Sequence, residues 1–190
     1  MKYRIFIFMI VFGALIISSC GDKEPVAPES KELSITEQDV FLAKKPGHRF
    51  TPWEGVETTC NTVPGEQWYE GDIWHIRGQV TTDIVESQEP RAAGVLTVNS
   101  DIDLNMSTGE GTIFTHWSLK PDVSEGTWEG RLAGNFSNFL MIAYGIGVGT
   151  GDLRGMIMTV KLEQRTEIID PPCETALYQF DDTGYIIGKK

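Results

Sequence analysis

Between Asp72 and Gln164 apolar and polar residues take turns in one segment after another, with glycine-bearing turns between the segments. A period of two is the mark of a half-buried β-strand, and sustained over this length it leaves almost no room for helix. In the first segment Trp74, Ile76, Val80 and Ile84 fall on one parity, and His75, Arg77, Gln79, Thr81 and Asp83 on the other. Over Ala92–Met106, Leu96, Val98, Ile102 and Leu104 oppose Thr97, Asn99, Asp101 and Asp103. A Ser107-Thr108-Gly109 turn leads to Ile113, Thr115, Trp117 and Leu119 on a shared face, and Pro121 to Gly126 reads as the next turn. Trp128, Leu132 and Phe136 then line a strand opposite Glu129, Arg131 and Asn135. Residues 139–148 form a mostly apolar fifth segment, and Arg154–Gln164 a sixth with Met156, Met158, Val160 and Leu162 in phase. Pro171-Pro172 breaks the chain, and a last strand is expected through Thr175–Phe180.

Seven or so strands joined by short turns predict an all-β, antiparallel meander. Closure into a calycin-like barrel of about eight strands removes the unpaired edges that an open sheet presents. Gly78, Gly94, Gly130, Gly134, Gly145 and Gly147 inside strands favour a strongly coiled barrel, because glycine tolerates sharp bends. A two-sheet sandwich is the alternative. The barrel domain is assigned to residues 47–190, with 47–70 irregular and Phe50, Trp53 and Trp68 packing on the strands.

The amino terminus has a different character. Lys2 and Arg4 precede an apolar run from Ile5 to Ile17, and Ile17-Ser18-Ser19-Cys20 follows. This resembles the signal and lipobox of bacterial lipoproteins. The resemblance implies cleavage after residue 19, lipidation of Cys20, and a domain held outside the cytoplasm in the bacterial cell envelope, anchored to the outer membrane. A transmembrane helix is the alternative reading, but the run falls short of the ~20 residues that a span needs. Residues 20–46 then make a lipidated cysteine and a flexible linker rich in proline and charge, with a helical turn around Thr36–Ala43.

Loss of the two leader cations takes the net charge from −11 to −13, which disfavours nucleic acid and anionic lipid as partners. With Cys20 assigned to lipid, Cys60 and Cys173 are left, either as a disulfide or as two buried thiols.

One stretch carries a family resemblance. Gly149, Gly151, Leu153 and Gly155 match the G-x-G-x-[LF]-x-G turn of allene-oxide-cyclase-like barrels, which are related in fold to dirigent proteins. Gly126-Thr-Trp-Glu-Gly130 is similar to a turn-strand motif in small bacterial proteins of the same barrel type. The resemblance covers roughly residues 70–165 and implies an eight-stranded antiparallel barrel with a cavity suited to an apolar small molecule. Met158 stands where a further glycine follows the motif in the plant cyclases, and no matching working constellation occurs around Asp72–Glu86. The fold carries over and the cyclase activity does not.

Other chemistries find little footing. The glycine run lacks dinucleotide-binding spacing and no phosphate-binding loop follows it. His48, His75 and His116 are scattered, so neither a metal nor another cofactor is expected. The candidate pocket groups are the tryptophans Trp74, Trp117 and Trp128 on the apolar parity, and His75, Arg77, His116, Glu129 and Arg131 on the polar one. If the polar parity faced inward, the latter would form a charged pocket; if outward, cross-strand pairs in solvent. Trp53 and Trp68 are read as lying outside the strands. These features predict a non-catalytic, lipid-anchored barrel that binds a small apolar or amphipathic ligand. A glycan- or protein-binding module acting through loops is the second reading, and a cyclase- or isomerase-type enzyme the third.

Overall fold

A computed structural model of the chain describes residues 47–189. The leader (1–19), Cys20, the linker to residue 46 with its expected helical turn at Thr36–Ala43, and Lys190 lie outside the described residues.

Nine strands follow one another: β1 (His48–Val63), β2 (Glu66–Glu70), β3 (Ile73–Ser87), β4 (Gly94–Asn105), β5 (Gly111–Pro121), β6 (Trp128–Ser137), β7 (Leu140–Gly149), β8 (Ile157–Gln164) and β9 (Tyr178–Lys189). The single helical element among the described residues is a 3-10 turn at Gly151–Leu153. From β3 to β9 each strand pairs antiparallel with the next. β9 then pairs with β1, and β1 with β3, which closes a barrel of eight strands with β2 as one extra strand. The meander and its closure are as the alternation implies.

β2 is less separate than its label suggests. Val63 opposes Val80 and Glu66 opposes Arg77, so β2 runs on along β3 in the register that β1 leaves at Pro64-Gly65. Residues 47–70 are therefore not irregular, and Trp53 and Trp68 both stand on strands. The last strand also differs from expectation: it begins at Tyr178 and runs to Lys189. Its inward row of Phe180, Asp182, Gly184 and Ile186 mixes charge and glycine with apolar residues, so no clean alternation announces it.

Two irregularities re-aim side chains. The β1–β3 register shifts between Thr59 and Asn61, and the β3–β4 register between Ile76 and Gln79, where Gly78 takes a φ of +65°. A bulge adds one residue to one strand and swaps the faces beyond it. Trp74 and Ile76 line the lumen before the second bulge; after it Gln79, Thr81 and Asp83 do. The parity expected to run unbroken from Trp74 to Ile84 thus reverses at Gly78.

The two barrel ends differ. At one end the turns after β3, β5 and β7 fold over the opening. Trp128 is fully buried there and its Nε1 donates to the Arg91 carbonyl at 2.8 Å, while Ala92 and Leu153 pack beside it. Ser124 Oγ and the Gly126 amide both donate to Asp152 Oδ1, which ties two of the turns together. At the other end the turns are short. Asn138 and Phe139 take positive φ in the two-residue β6–β7 turn, which matches the twist of hairpin strands. The exception is the 165–177 segment, which lies along the outside of β1 and β9. Cys173 on it is disulfide-bonded to Cys60 at the β1 bulge, with alpha carbons 5.9 Å apart, and Thr175 Oγ1 donates to the Cys60 carbonyl at 2.6 Å.

Candidate functional site

The inward residues leave a cavity of about 580 Å³ inside the barrel. At its floor Trp53, Leu119 and Met158 are buried, whereas at its other end Met106, Phe139, Leu177 and Tyr178 line it and are also exposed. The cavity therefore opens at the end away from Trp128. Val63, Tyr69 and Ile73 add further exposed apolar surface at this mouth.

Most of the lining is apolar, and one residue shapes it. Trp117 on β5 projects inward over β6 and β7, where Gly130 and Gly147 stand. A Cβ on either glycine would come within 2.3 Å of the indole ring, so the two bare backbones are what give the ring its place. Leu132, Val160, Leu162, Leu96 and Val98 continue this surface from β6, β8 and β4.

The remaining wall, made of β9, β1 and β3, carries acids. Glu57, Asp83 and Asp182 are all buried and all line the cavity. Across the β1–β3 ladder Thr59 faces Asp83, and across the β1–β9 ladder Gly55 faces Asp182. Glu57 sits between Thr59 and Gly55 on the same face of β1, so it is the diagonal neighbour of both aspartates. Burial pushes the Glu57 carboxyl well above the usual carboxylate range, and the nearby Asp182 and Asp83 push it further. Burial does the same to Asp182, with Asp181 and Asp83 adding to it and Arg165 opposing. Burial raises Asp83 as well, against hydrogen bonds from Glu57, Thr81 and Thr59 that favour its ionised form. Thr81 Oγ1 donates to Asp83 Oδ2 at 3.2 Å. Oδ1 of Asp83 and Oδ1 of Asp182 have no hydrogen-bond partner in the protein.

The candidates read from the sequence separate into three places. Trp74 and Trp117 line the cavity, Trp74 near the mouth with its ring stacked on Tyr69 at 6.2 Å. Trp128 shares their parity but belongs to the sealed floor and does not line the cavity. The polar group faces outward, so the charged inner pocket that an inward parity would have made is not formed from these residues. His75 and Arg77 meet on the outer face of β3, where His75 Nδ1 lies 2.6 Å from Asp103 and Arg77 Nη2 donates to the same oxygen at 2.7 Å. Trp68 covers them, stacked on the His75 ring at 5.0 Å and lying under the Arg77 guanidinium at 5.5 Å. His116, Glu129 and Arg131 border a shallow outer groove on β5 and β6, where Glu129 accepts hydrogen bonds from Ser118 and Thr127. All three are exposed.

The acids that do reach the lumen were not among the candidates. Asp83 falls on the same parity as His75 and Arg77 if its strand runs without a bulge, although a glycine inside a strand pattern is the usual sign of one. Glu57 and Asp182 lie in segments whose strands the alternation did not reveal. Among the described residues no three His, Cys, Asp or Glu side chains are grouped so as to hold a metal ion.

Comparison of the chain with protein-family models, with curated proteins and with solved structures finds no match.

Proposed function

We propose that this protein is a lipid-anchored barrel of the bacterial cell envelope whose lumen binds a small amphipathic ligand without transforming it. In this reading Cys20 carries the anchor, residues 20–46 hold the barrel off the membrane, and the acidic domain works outside the cytoplasm. The observation that carries the reading is the cavity itself. Its volume of about 580 Å³ falls in the range of sites that enclose small molecules, its walls are mainly apolar, and one end opens through an apolar rim. A barrel evolved only for stability fills its interior with side chains. The similarity of the Gly149–Gly155 turn to that of the allene-oxide-cyclase-like barrels fits the same picture, since that turn joins β7 to β8 at the sealed floor.

The test is mass spectrometry on protein purified after export to the periplasm, comparing native with denatured samples, alongside titration with a neutral polarity-sensitive fluorophore. A compound released on denaturation, or saturable fluorophore binding that Val98→Trp abolishes by filling the lumen, supports the reading. A protein that carries no compound and binds no fluorophore refutes it.

A further inference from the structure

We infer that the lumen selects amphiphiles with a cationic, nitrogen-bearing head: the apolar body lies against β4–β8, and the head group sits among Glu57, Asp83 and Asp182. This rests on the lumen being a ligand site, and it names the class of ligand.

Three observations converge on it. Glu57, Asp83 and Asp182 all line the cavity, and no lysine, arginine or histidine does, so the ionisable groups lining it are of one sign. Arg165, whose charge acts on Asp182, has its guanidinium engaged outside the barrel with Asp181 and Gln179. Second, Asp83 and Asp182 are each only 2% exposed, yet each presents an oxygen without a donor. A buried acceptor left unpaired is destabilising, and a ligand N–H would relieve it. Third, the three carboxyls are spread over diagonal positions of three strands and form no metal-holding group among the described residues. A bare ion needs its ligands drawn round one point, whereas an ammonium or amidinium head with several N–H donors can reach separated oxygens.

The proton balance is straightforward. A ligand that enters as a cation makes the ionised carboxylate favourable, so Glu57 or Asp182 gives up its proton to solvent. A ligand that enters as the free amine takes that proton from the carboxyl and becomes ammonium in place. An anionic amphiphile finds no cation in the lumen and is repelled by whichever carboxyls are ionised.

The experiment titrates the purified full chain with three probes of one chain length, decylamine, decanol and decanoate, at pH 7 and below micellar concentration, by calorimetry. Decylamine is expected to bind about tenfold or more tighter than decanol, a difference of ~1.4 kcal/mol, with decanoate weakest. Glu57→Gln combined with Asp182→Asn is expected to keep decanol binding and lose the preference for the amine. Should the pair prevent folding, Asp182→Asn alone is expected to reduce the preference. Equal binding of decylamine and decanol, or a preference that survives in the variants, overturns the inference while leaving the lumen as an apolar site. Failure of all three probes overturns the lumen reading and the inference with it.

Discussion

The two walls of the lumen are built on opposite principles. From β4 round to β8 the inward residues are those that any core would contain, Leu96, Val98, Trp117, Leu132, Val160 and Leu162, and apolar contact holds them together. From β9 through β1 to β3 the inward positions hold, beside Trp53, Ile76 and Phe180, the polar Glu57, Thr59, Thr81, Asp83 and Asp182, and burying the carboxyls costs free energy. One wall stabilises the barrel and the other is carried by it. Carboxyls that are expensive to bury and line a cavity are candidates for function, and under the proposed function the second wall is where a ligand's polar head would sit.

Breaking the apolar wall gives the largest effect. Trp117 is 7% exposed and seated against two glycines, so Trp117→Ala leaves a void that the sheet cannot close. A loss of about 3–5 kcal/mol is expected in urea denaturation monitored by circular dichroism. Gly147→Ala attacks the same contact from the other side. Its Cβ would stand 2.3 Å from the indole edge, and a loss of about 1–3 kcal/mol is expected as the ring is displaced. Wild-type stability in both variants would show that the ring is not held as described.

The acid wall has a different fastening. The Cys60–Cys173 disulfide pins the β1 bulge to the 165–177 segment across a separation of 113 residues. Gln179 works beside it, donating from Nε2 to Thr58 Oγ1 at 3.1 Å and to the Ile169 carbonyl at 3.0 Å beneath that segment. Replacing both cysteines by serine is expected to cost about 2–5 kcal/mol. Proteolysis should then cut first within 165–177. Preferential cutting in the turns at the sealed floor would sink the idea that the staple serves this wall.

Relieving the acid wall should do the reverse and stabilise. Glu57 holds its proton to a higher pH when folded than when unfolded, so above the ordinary carboxylate range folding draws a proton from solvent. The native state therefore binds more protons than the unfolded chain, and stability falls as pH rises from that range through the raised folded value. Asp83 and Asp182 act in the same direction, Arg165 against it, and Asp181 with it. Glu57→Gln keeps the size and polarity of the side chain and removes the titration. A gain on the order of 1–2 kcal/mol at pH 7 is expected, larger at pH 8 and absent near pH 4, by denaturation across that range. Destabilisation at every pH would mean that the carboxyl is needed for packing rather than for binding.

The contrast between the walls also accounts for what could be read from the sequence. β4, β5, β6 and β8 show their inward faces directly, because an apolar core on one side and water on the other impose alternation, and the closed antiparallel barrel follows from them. Trp74 and Trp117 were legible for the same reason. β1 and β9 were missed because Glu57, Thr59, Asp182 and Gly184 look like surface or turn residues in any scheme that equates inside with apolar. Asp83 was hidden by one glycine: Gly78 bulges the strand and turns Gln79, Thr81 and Asp83 inward, while Val80 and Ile84 go out. The rule that failed is that inside means apolar: this lumen places Glu57, Asp83 and Asp182 where a core would not.

The smallest effect tests the sign of this argument on the outside of the same strands. Asp103 lies on the outer face of β4, paired with Arg77 and His75. Burial works to raise its carboxyl, but the hydrogen bonds from Arg77 and His75 and their charges outweigh that and hold it below its ordinary value. Here the unfolded chain binds the proton more readily than the native state. The pairing therefore contributes above the unfolded value and is lost as pH falls through the folded one. Its side chain is 42% exposed and screened by solvent, so Asp103→Asn is expected to cost less than ~1 kcal/mol at pH 7 and progressively less as pH falls below the ordinary carboxylate range. Set beside Glu57→Gln, the two difference curves should run in opposite senses: the inner variant gains over wild type as pH rises, and the outer one loses. Parallel curves would mean that Glu57 meets solvent much as Asp103 does, and a carboxyl so placed could not discriminate the head group of a ligand in the lumen.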